Sequence, residues 1–411
     1  MSLAVLSLLA LLTALVLSCT TSLNIGILSL AFAWIVGVYL GGMSLADVIG
    51  GFPVQLFLTL AGVTMLFTQA QLNGTLDRLA RHAVGVCRGN TGLIPVMFFG
   101  LGCVIASIGP GNVATAAMLA PMAMAVASRA KIPAFLMAIM VGNGAQSGSL
   151  SPFAPTGIIV NGIMGRVGLG GVEWRTYWTN LVAHALVAFG GYLLLGGWRL
   201  FTRRYTDGAD GETDMSFGWR HWVTCAVVAA VLAAVLFAEA NVGMAALAGA
   251  VALPALGLAD HDQTIRRMPW GAILMMSGVT VLIALLEKTG GLDLFTDLLA
   301  RFATAGTLTG FVAFITGVIS VYSSTSGVVL PAFLPTIPGL IARVGGGDPV
   351  AIAASMNIGA HLVDMSPLST TGAVCIAGIQ DADQVRPTYN RLLAWGLSMT
   401  LVGAVGCYLF F

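Results

Sequence analysis

The chain has 411 residues, 57% hydrophobic and 9% charged, with a net charge of +1 and a mean hydropathy of +0.93. Soluble domains carry about 25% charged residues, so this composition excludes a water-soluble globule and describes a polytopic membrane protein. With no basic run or tail, nothing points to nucleic acid.

A helix needs about 20 apolar residues to cross a bilayer. Crossings are expected near 2–19, 22–41 and 54–71, followed by a surface helix at 73–87 that contains Asp77, Arg78, Arg81 and His82. The run at 2–19 is preceded by no Lys or Arg, as a signal peptide would be, and reads as the first membrane helix. Residues 92–128 form one apolar stretch bent at Ser107–Asn112 (Ser-Ile-Gly-Pro-Gly-Asn), with Arg88 at one end and Arg129 and Lys131 at the other. Cations at both ends suggest a hairpin that enters and leaves on one face. A crossing at 133–165 is interrupted over Gly142–Gly157, and another spans 176–198. The polar linker 199–219 follows, holding Arg199, Arg203, Arg204, Asp207, Asp210, Glu212 and Asp214.

The pattern then restarts. Crossings are expected at 221–238, 241–258 and 269–286, a surface helix at 287–303 and a second bent stretch at 307–341. An interrupted crossing at 350–380 and a last one at 389–410 complete the chain. Phe52-Pro53…Gly62-Val63-Thr64…Gly74-Thr75-Leu76-Asp77 matches Met268-Pro269…Gly278-Val279-Thr280…Gly290-Gly291-Leu292-Asp293 at a spacing of 216. Thr115 and Pro121 match Thr325 and Pro331 at 210, and Ser151-Pro152…Thr156-Gly157 matches Ser366-Pro367…Thr371-Gly372 at 215. Chance similarity between apolar runs would not keep Pro, Gly and Asp in step across three blocks, so the chain reads as an internal duplication.

Each half contributes an odd number of crossings, which inverts the second copy relative to the first. One face then collects Arg78, Arg81, Arg88, Arg129, Lys131, Arg199, Arg203, Arg204, Arg220, Arg266, Arg267, Arg386 and Arg391. The other collects Arg166, Arg175, Lys288, Arg301 and Arg343. Thirteen against five assigns the first face to the cytoplasm and both termini to the other side. The expected architecture is an all-α polytopic membrane protein of about ten crossings, with two re-entrant hairpins and two broken helices. Its domains are a first inverted repeat at 1–198, a cytoplasmic linker at 199–219 and a second repeat at 220–411.

Paired interruptions in corresponding places of two halves point to a transporter's binding site. A helix broken at mid-membrane offers backbone N–H donors at one end and free carbonyls at the other. The donors suit an anion, and the carbonyls suit a hard cation such as Na⁺. Hydroxyls and amides at Asn112, Thr115, Ser151, Ser323, Ser324, Thr325, Ser366 and Thr371 supplement both. The plain alternative for any one of them is a hydroxyl that only satisfies a freed helix carbonyl. No Lys or Arg lies within these runs, so a carried anion is held by dipoles, hydroxyls and a co-transported cation. Asp364 stands out, because an acid near the bilayer centre costs roughly 2.5–3.5 kcal/mol. It is a candidate Na⁺ ligand or proton carrier with His361, one turn earlier, as a possible partner; the alternative is a cap at the wet rim of the break. His184 reads as a packed histidine. The six cysteines, Cys19, Cys87, Cys103, Cys225, Cys375 and Cys407, have neither metal nor disulfide spacing.

Asn112-Val113-Ala114-Thr115-Ala116-Ala117-Met118-Leu119-Ala120-Pro121 resembles the hairpin signature of the divalent anion/sodium symporters. Phe52-Pro53…Gly62-Val63-Thr64-Met65-Leu66-Phe67…Asn73-Gly74-Thr75-Leu76-Asp77 resembles the N-terminal region of the MatC-type dicarboxylate (malonate) carriers of the same ion transporter superfamily. The symporters' first Ser-Asn-Thr falls on Gly111, Asn112 and Val113, and their sodium-linked Ser on Ser107. Their second Ser-Asn-Thr falls on Val321, Tyr322 and Ser323, with extra hydroxyls at Ser324 and Thr325. The resemblance implies a homodimeric inner-membrane carrier that moves its hairpin domain against a scaffold, importing a malonate-like or C4 dicarboxylate with Na⁺ or H⁺ and using no cofactor. The expected substrate residues are Asn112, Thr115, Ser151, Thr156, Ser323, Ser324, Thr325, Ser366 and Thr371. The expected cation residues are Ser107, Asn112, Gly144, Gly359 and Asp364. Alternatives are a proton-coupled antiporter, an arsenite-type efflux transporter and, without any nucleophile signature to support it, an intramembrane enzyme using His361 and Asp364.

Overall fold

The computed structural model describes the chain except residues 1, 22, 77, 80, 81, 83–86, 88, 205–215, 322 and 323, and except the side chains of 18, 19, 236 and 276. Among the described residues it is all-helical, 79% helix with no strand. In the first half α1 spans Leu3–Thr20, and α2 spans Ile25–Trp34 before running on as a π-helix through Leu40. The short α3, Leu45–Ile49, is set by a capping box in which Ser44 and Asp47 bond each other's backbone N–H groups. The Ser44 hydroxyl, and after it the Ser44 N–H, donate to the Asp47 carboxyl and hold it below the usual carboxylate range. Next come α4 (Val54–Leu72), α5 (Leu93–Ile108), α6 (Gly111–Arg129), α7 (Ala134–Ser147), α8 (Pro155–Arg166) and α9 (Glu173–Leu194).

The second half repeats the order. It has α10 (Trp219–Phe237), α11 (Val242–Ala255), α12 (His261–Arg267), α13 (Trp270–Thr289) and α14 (Gly291–Ala300). There follow α15 (Leu308–Ser320), a π-helical turn Thr325–Val329, α16 (Leu330–Phe333) and α17 (Ile337–Val344). Last are α18 (Pro349–Leu362), α19 (Thr370–Ala377) and α20 (Ala382–Phe410). Among the described residues, five helical segments are long and apolar enough to cross a membrane: α4, α6, α13, the run Thr325–Val344 and α20. Shorter apolar helices occupy other expected crossings. Of the expected surface helix at 73–87, Asp77 and Arg81 lie outside the described residues, as does most of the linker at 199–219.

The bend between α5 and α6 falls at Gly109 and Pro110. Gly109 has φ 149°, and a Cβ there would enter the Phe67 ring, so only glycine lets the chain turn beneath α4 at this point. The two arms α5 and α6 pack against one another across that turn. At the centre lie α7, buried at every position, and α18, buried from Ala351 through Leu362. Both carry polar residues on helices enclosed all round, which is where polar atoms must find partners inside the protein.

Glycines set the closest crossings, and they do so in matched pairs. Helix α2 packs on α13, and α11 packs on α4. A Cβ on Gly278 would strike the Gly26 backbone, and a Cβ on Gly62 would strike the Gly243 carbonyl. Gly62 and Gly278 are 216 apart in sequence, and Gly26 and Gly243 are 217 apart, so the two crossings exchange corresponding residues. Likewise Gly102 of α5 abuts the Gly144–Ala145 backbone of α7, and Gly317 of α15 abuts the Gly359 carbonyl of α18. Overpacking a tight contact costs about 1–3 kcal/mol. Gly278→Val therefore lowers the unfolding midpoint of the detergent-solubilised protein. Gly406→Ala, which meets nothing within 4 Å, leaves it unchanged or higher.

Candidate functional site

Four interruptions meet at one buried polar network. From the first bend comes Asn112, at the start of α6; from the first broken crossing comes Gln146, in the last turn of α7. The second broken crossing supplies Asp364, in the 3-10 turn Val363–Met365 after α18, and Thr371 at the start of α19. The second bend supplies Ser320, at the end of α15, and Thr325. Gln146 is the hub. Its Oε1 accepts from Asn112 Nδ2 at 2.9 Å, and its Nε2 donates to Asp364 Oδ2 at 3.1 Å and to Thr371 Oγ1 at 3.2 Å. The other carboxylate oxygen, Asp364 Oδ1, accepts from Thr325 Oγ1 at 2.7 Å, and Thr325 is bonded in turn to Ser320. Thr156 Oγ1 reaches Asn112 Oδ1 at 3.5 Å. Ser369 caps α19 and also bonds the Asp364 carbonyl.

The donors around Asp364 are neutral. All three ion pairs among the described residues join exposed or half-exposed side chains, Arg175 with Asp348 and Arg343 with Asp293 and Asp297. Asp364 itself is 7% exposed, so its carboxyl group is held by two hydrogen-bond donors and no cationic side chain.

The remaining expected site residues are distributed around this network. Ser107 Oγ donates to the Cys103 carbonyl at 2.6 Å and pairs with the Tyr177 hydroxyl at 3.0 Å, while its own carbonyl accepts from Ser151 Oγ at 2.6 Å. Ser366 is buried, and its hydroxyl accepts from the Leu368 N–H at 3.3 Å. Ser324 caps the π-helical turn through the Gly327 N–H at 3.1 Å. Thr115 is fully buried, and its hydroxyl has no hydrogen-bond partner among the described residues. Gly144 and Gly359 sit at the helix crossings described above, and the Gly144 carbonyl accepts from Ser147 Oγ at 2.7 Å. Ser323 lies outside the described residues.

His361 does not pair with Asp364. Its Nδ1 faces the Asn357 carbonyl at 2.8 Å, because one helical turn back the i−4 carbonyl lies directly beneath the ring. His184, expected as a packed histidine, bonds Asn143 Oδ1 through Nδ1 at 2.9 Å. Both rings are fully buried. Sequence reasoning missed Gln146 as a site residue, although it stands inside the first interruption among Gly, Ser and Ala. Its length and its two-sided amide were the available signal. It missed Asn180 as well, whose Nδ2 donates to the Gln146 carbonyl at 2.9 Å and steadies the end of α7.

The architecture and this site define a polytopic, all-helical membrane protein whose helix breaks enclose a polar centre. Residues 1–149, covering α1 through α7, match the family model described as the dicarboxylate carrier protein MatC N-terminus. The match bears out the resemblance to MatC-type dicarboxylate carriers, which are transporters. No curated protein matches the chain.

Replacing Gln146 by Leu leaves Asn112 Nδ2 and Asp364 Oδ2 short of a partner, at about 1–3 kcal/mol for each unsatisfied group. Gln146→Leu therefore unfolds earlier than the parent on a thermal ramp in detergent. Ser324→Ala, which removes only a local cap worth about 1 kcal/mol, shifts the midpoint less.

Proposed function

We propose that the chain is a secondary active transporter that imports a small dicarboxylate, malonate-like or C4, together with Na⁺ or H⁺. The observation that carries this reading is the buried Asp364 carboxyl group, which no side-chain cation among the described residues neutralises. A charge enclosed in protein must be paired or cancelled, so a proton or a metal cation from solution balances it here. A dicarboxylate beside the same network is then held most firmly while that cation is present, and this gives coupling. Asn112, Thr156, Thr325 and Thr371 are the proposed substrate contacts, joined by Ser151 and Ser366 at the two breaks and by Ser323 and Ser324 at the second bend. Asp364 is the proposed cation group, assisted by Asn112 and by Ser107 behind the first bend, with the carbonyls near Gly144 and Gly359 as further ligands.

The reciprocal glycine crossings support two inverted repeats, 1–198 and 220–411, joined by a cytoplasmic linker. In that reading the bent segments 92–128 and 307–341 are re-entrant hairpins, opening inward and outward. They move with the broken helices 133–165 and 350–380 as an elevator against a scaffold of the remaining helices, in a homodimer of the inner membrane. Both termini lie outside.

Asp364→Asn keeps the shape of the carboxyl group and removes its charge. Its expected result is substrate binding without concentrative uptake in proteoliposomes; full uptake by this variant would sink the coupling role. Uptake of ²²Na⁺ driven by substrate separates Na⁺ coupling from proton coupling, which a protonophore abolishes. Binding raises apparent stability by mass action, by about 2.7 kcal/mol at a hundred times the Kd. Thermal unfolding in malonate, succinate, fumarate, citrate or arsenite, with and without Na⁺, is expected to shift most with a small dicarboxylate plus the coupling ion.

A further inference from the structure

A cavity of about 120 Å³ lies between α4, α12 and the first bend. Its wall includes Pro110 at the bend, Thr64, Thr68 and Gln71 along α4, Thr115 on α6, and Arg267 at the end of α12. Arg267 is exposed and has no ion pair among the described residues. No acidic residue belongs to the described lining. Thr115 is fully buried, and its hydroxyl has no partner among the described residues. Leaving such a group unpaired is costly, and Thr115 is one of the residues that line the cavity.

The duplication explains the orphan. Thr325, the counterpart of Thr115, gives its hydroxyl to Asp364. The position that corresponds to Asp364 in the first half is Ser149, whose hydroxyl is one bond shorter than a carboxylate. Ser149 is engaged by Asn180 Nδ2 at 3.5 Å. The cation is one-sided too, since the first-half counterpart of Arg267 is Gly51. What the cavity offers is a guanidinium at its mouth, hydroxyls and an amide on its wall, and an unpaired hydroxyl one helical turn from Asn112. That is the chemistry of a carboxylate or other small anion.

We propose that this cavity is an anion vestibule on the cytoplasmic side. Arg267 draws in a carboxylate, and Thr115, with Thr64, Thr68 and Gln71, holds it next to the Asn112–Gln146 network. The substrate class and the sidedness rest on the transporter reading above; the anion site itself does not.

The test begins with the purified full-length protein carrying Ala114→Cys, an exposed position on the cavity wall. Labelling by a membrane-impermeant maleimide, above that of the parent chain, is followed with malonate or sulfate present. Malonate is expected to slow labelling roughly threefold or more, an effect lost with Arg267→Gln and at high ionic strength and kept with Arg266→Gln. Protection by sulfate but not malonate, dependent on Arg267, supports the vestibule and overturns the dicarboxylate reading. Labelling that no anion slows, or protection that Arg267→Gln leaves intact, overturns the vestibule. In proteoliposomes of fixed orientation, Arg267→Gln is expected to raise KM roughly three- to tenfold for substrate presented at the cytoplasmic face and to leave the opposite face unchanged. An equal rise on both faces would mean a general defect and would overturn the proposal.

Discussion

A carboxyl group inside a membrane protein has to be balanced, and the arrangement around Asp364 follows from doing so with neutral donors. Thr325 and Gln146 each hold one carboxylate oxygen. Neither cancels the charge. Dipoles can orient a carboxylate, yet only a cation or a proton removes its net charge from a low-dielectric interior. An arginine in the same place would have made a permanent ion pair. The neutral donors make the balance conditional on something that arrives from solution.

That condition needs four chain segments, far apart in sequence, to meet at one point. Donors on one continuous helix face the lipid or a neighbour at fixed spacing, but broken helices can end where a side chain is wanted. Gln146 can reach Asp364 because α7 stops at Ser147, and Asn112 can reach Gln146 because α6 starts just after the Gly109–Pro110 turn. Close backbone contact between α5 and α7 at Gly102 and Gly144, and between α15 and α18 at Gly317 and Gly359, brings the breaks within hydrogen-bonding range. The glycines are in this sense part of the site, although none is a member of the network.

The sequence made the helices legible because apolar runs and their Gly, Pro and Ser breaks are local features. Capping residues such as Asn241, Asp260 and Asp381 mark helix starts in the same direct way. Asp364, Asn112, Thr325 and Thr371 were also legible, since polar residues inside an apolar run are conspicuous. Partner choice was not. His361 looked like the natural neighbour of Asp364 at one turn's spacing, but its ring is taken by the Asn357 carbonyl, while Gln146 approaches from the other half of the chain, 218 positions away. Periodicity carries no information about which side chains of two distant helices will face each other. The close crossings at Gly144 and Gly359 were not legible for the same reason, because only the facing backbone reveals why a side chain is excluded there.

On the proposed duplication, the two halves differ where a symmetric solution would fail. Asp364 in one half corresponds to Ser149 in the other, and Gln146 corresponds to His361. A second acid at the matched position 149, which is fully buried, would add another enclosed charge, and burial disfavours ionising it. The second would need its own counter-ion or would stay protonated. With Ser at 149 and an amide at 146, the first half instead supplies a donor for the single acid and an acceptor for Asn112. On the proposed duplication, the repeat accounts for the matched breaks, and one half bears the acid while the other supplies its hydrogen-bonding support. The same asymmetry leaves Thr115 without the partner that Thr325 has. That hydroxyl belongs to a residue on the wall of the cavity that Arg267 also lines, whereas its match Thr325 is committed to the acid.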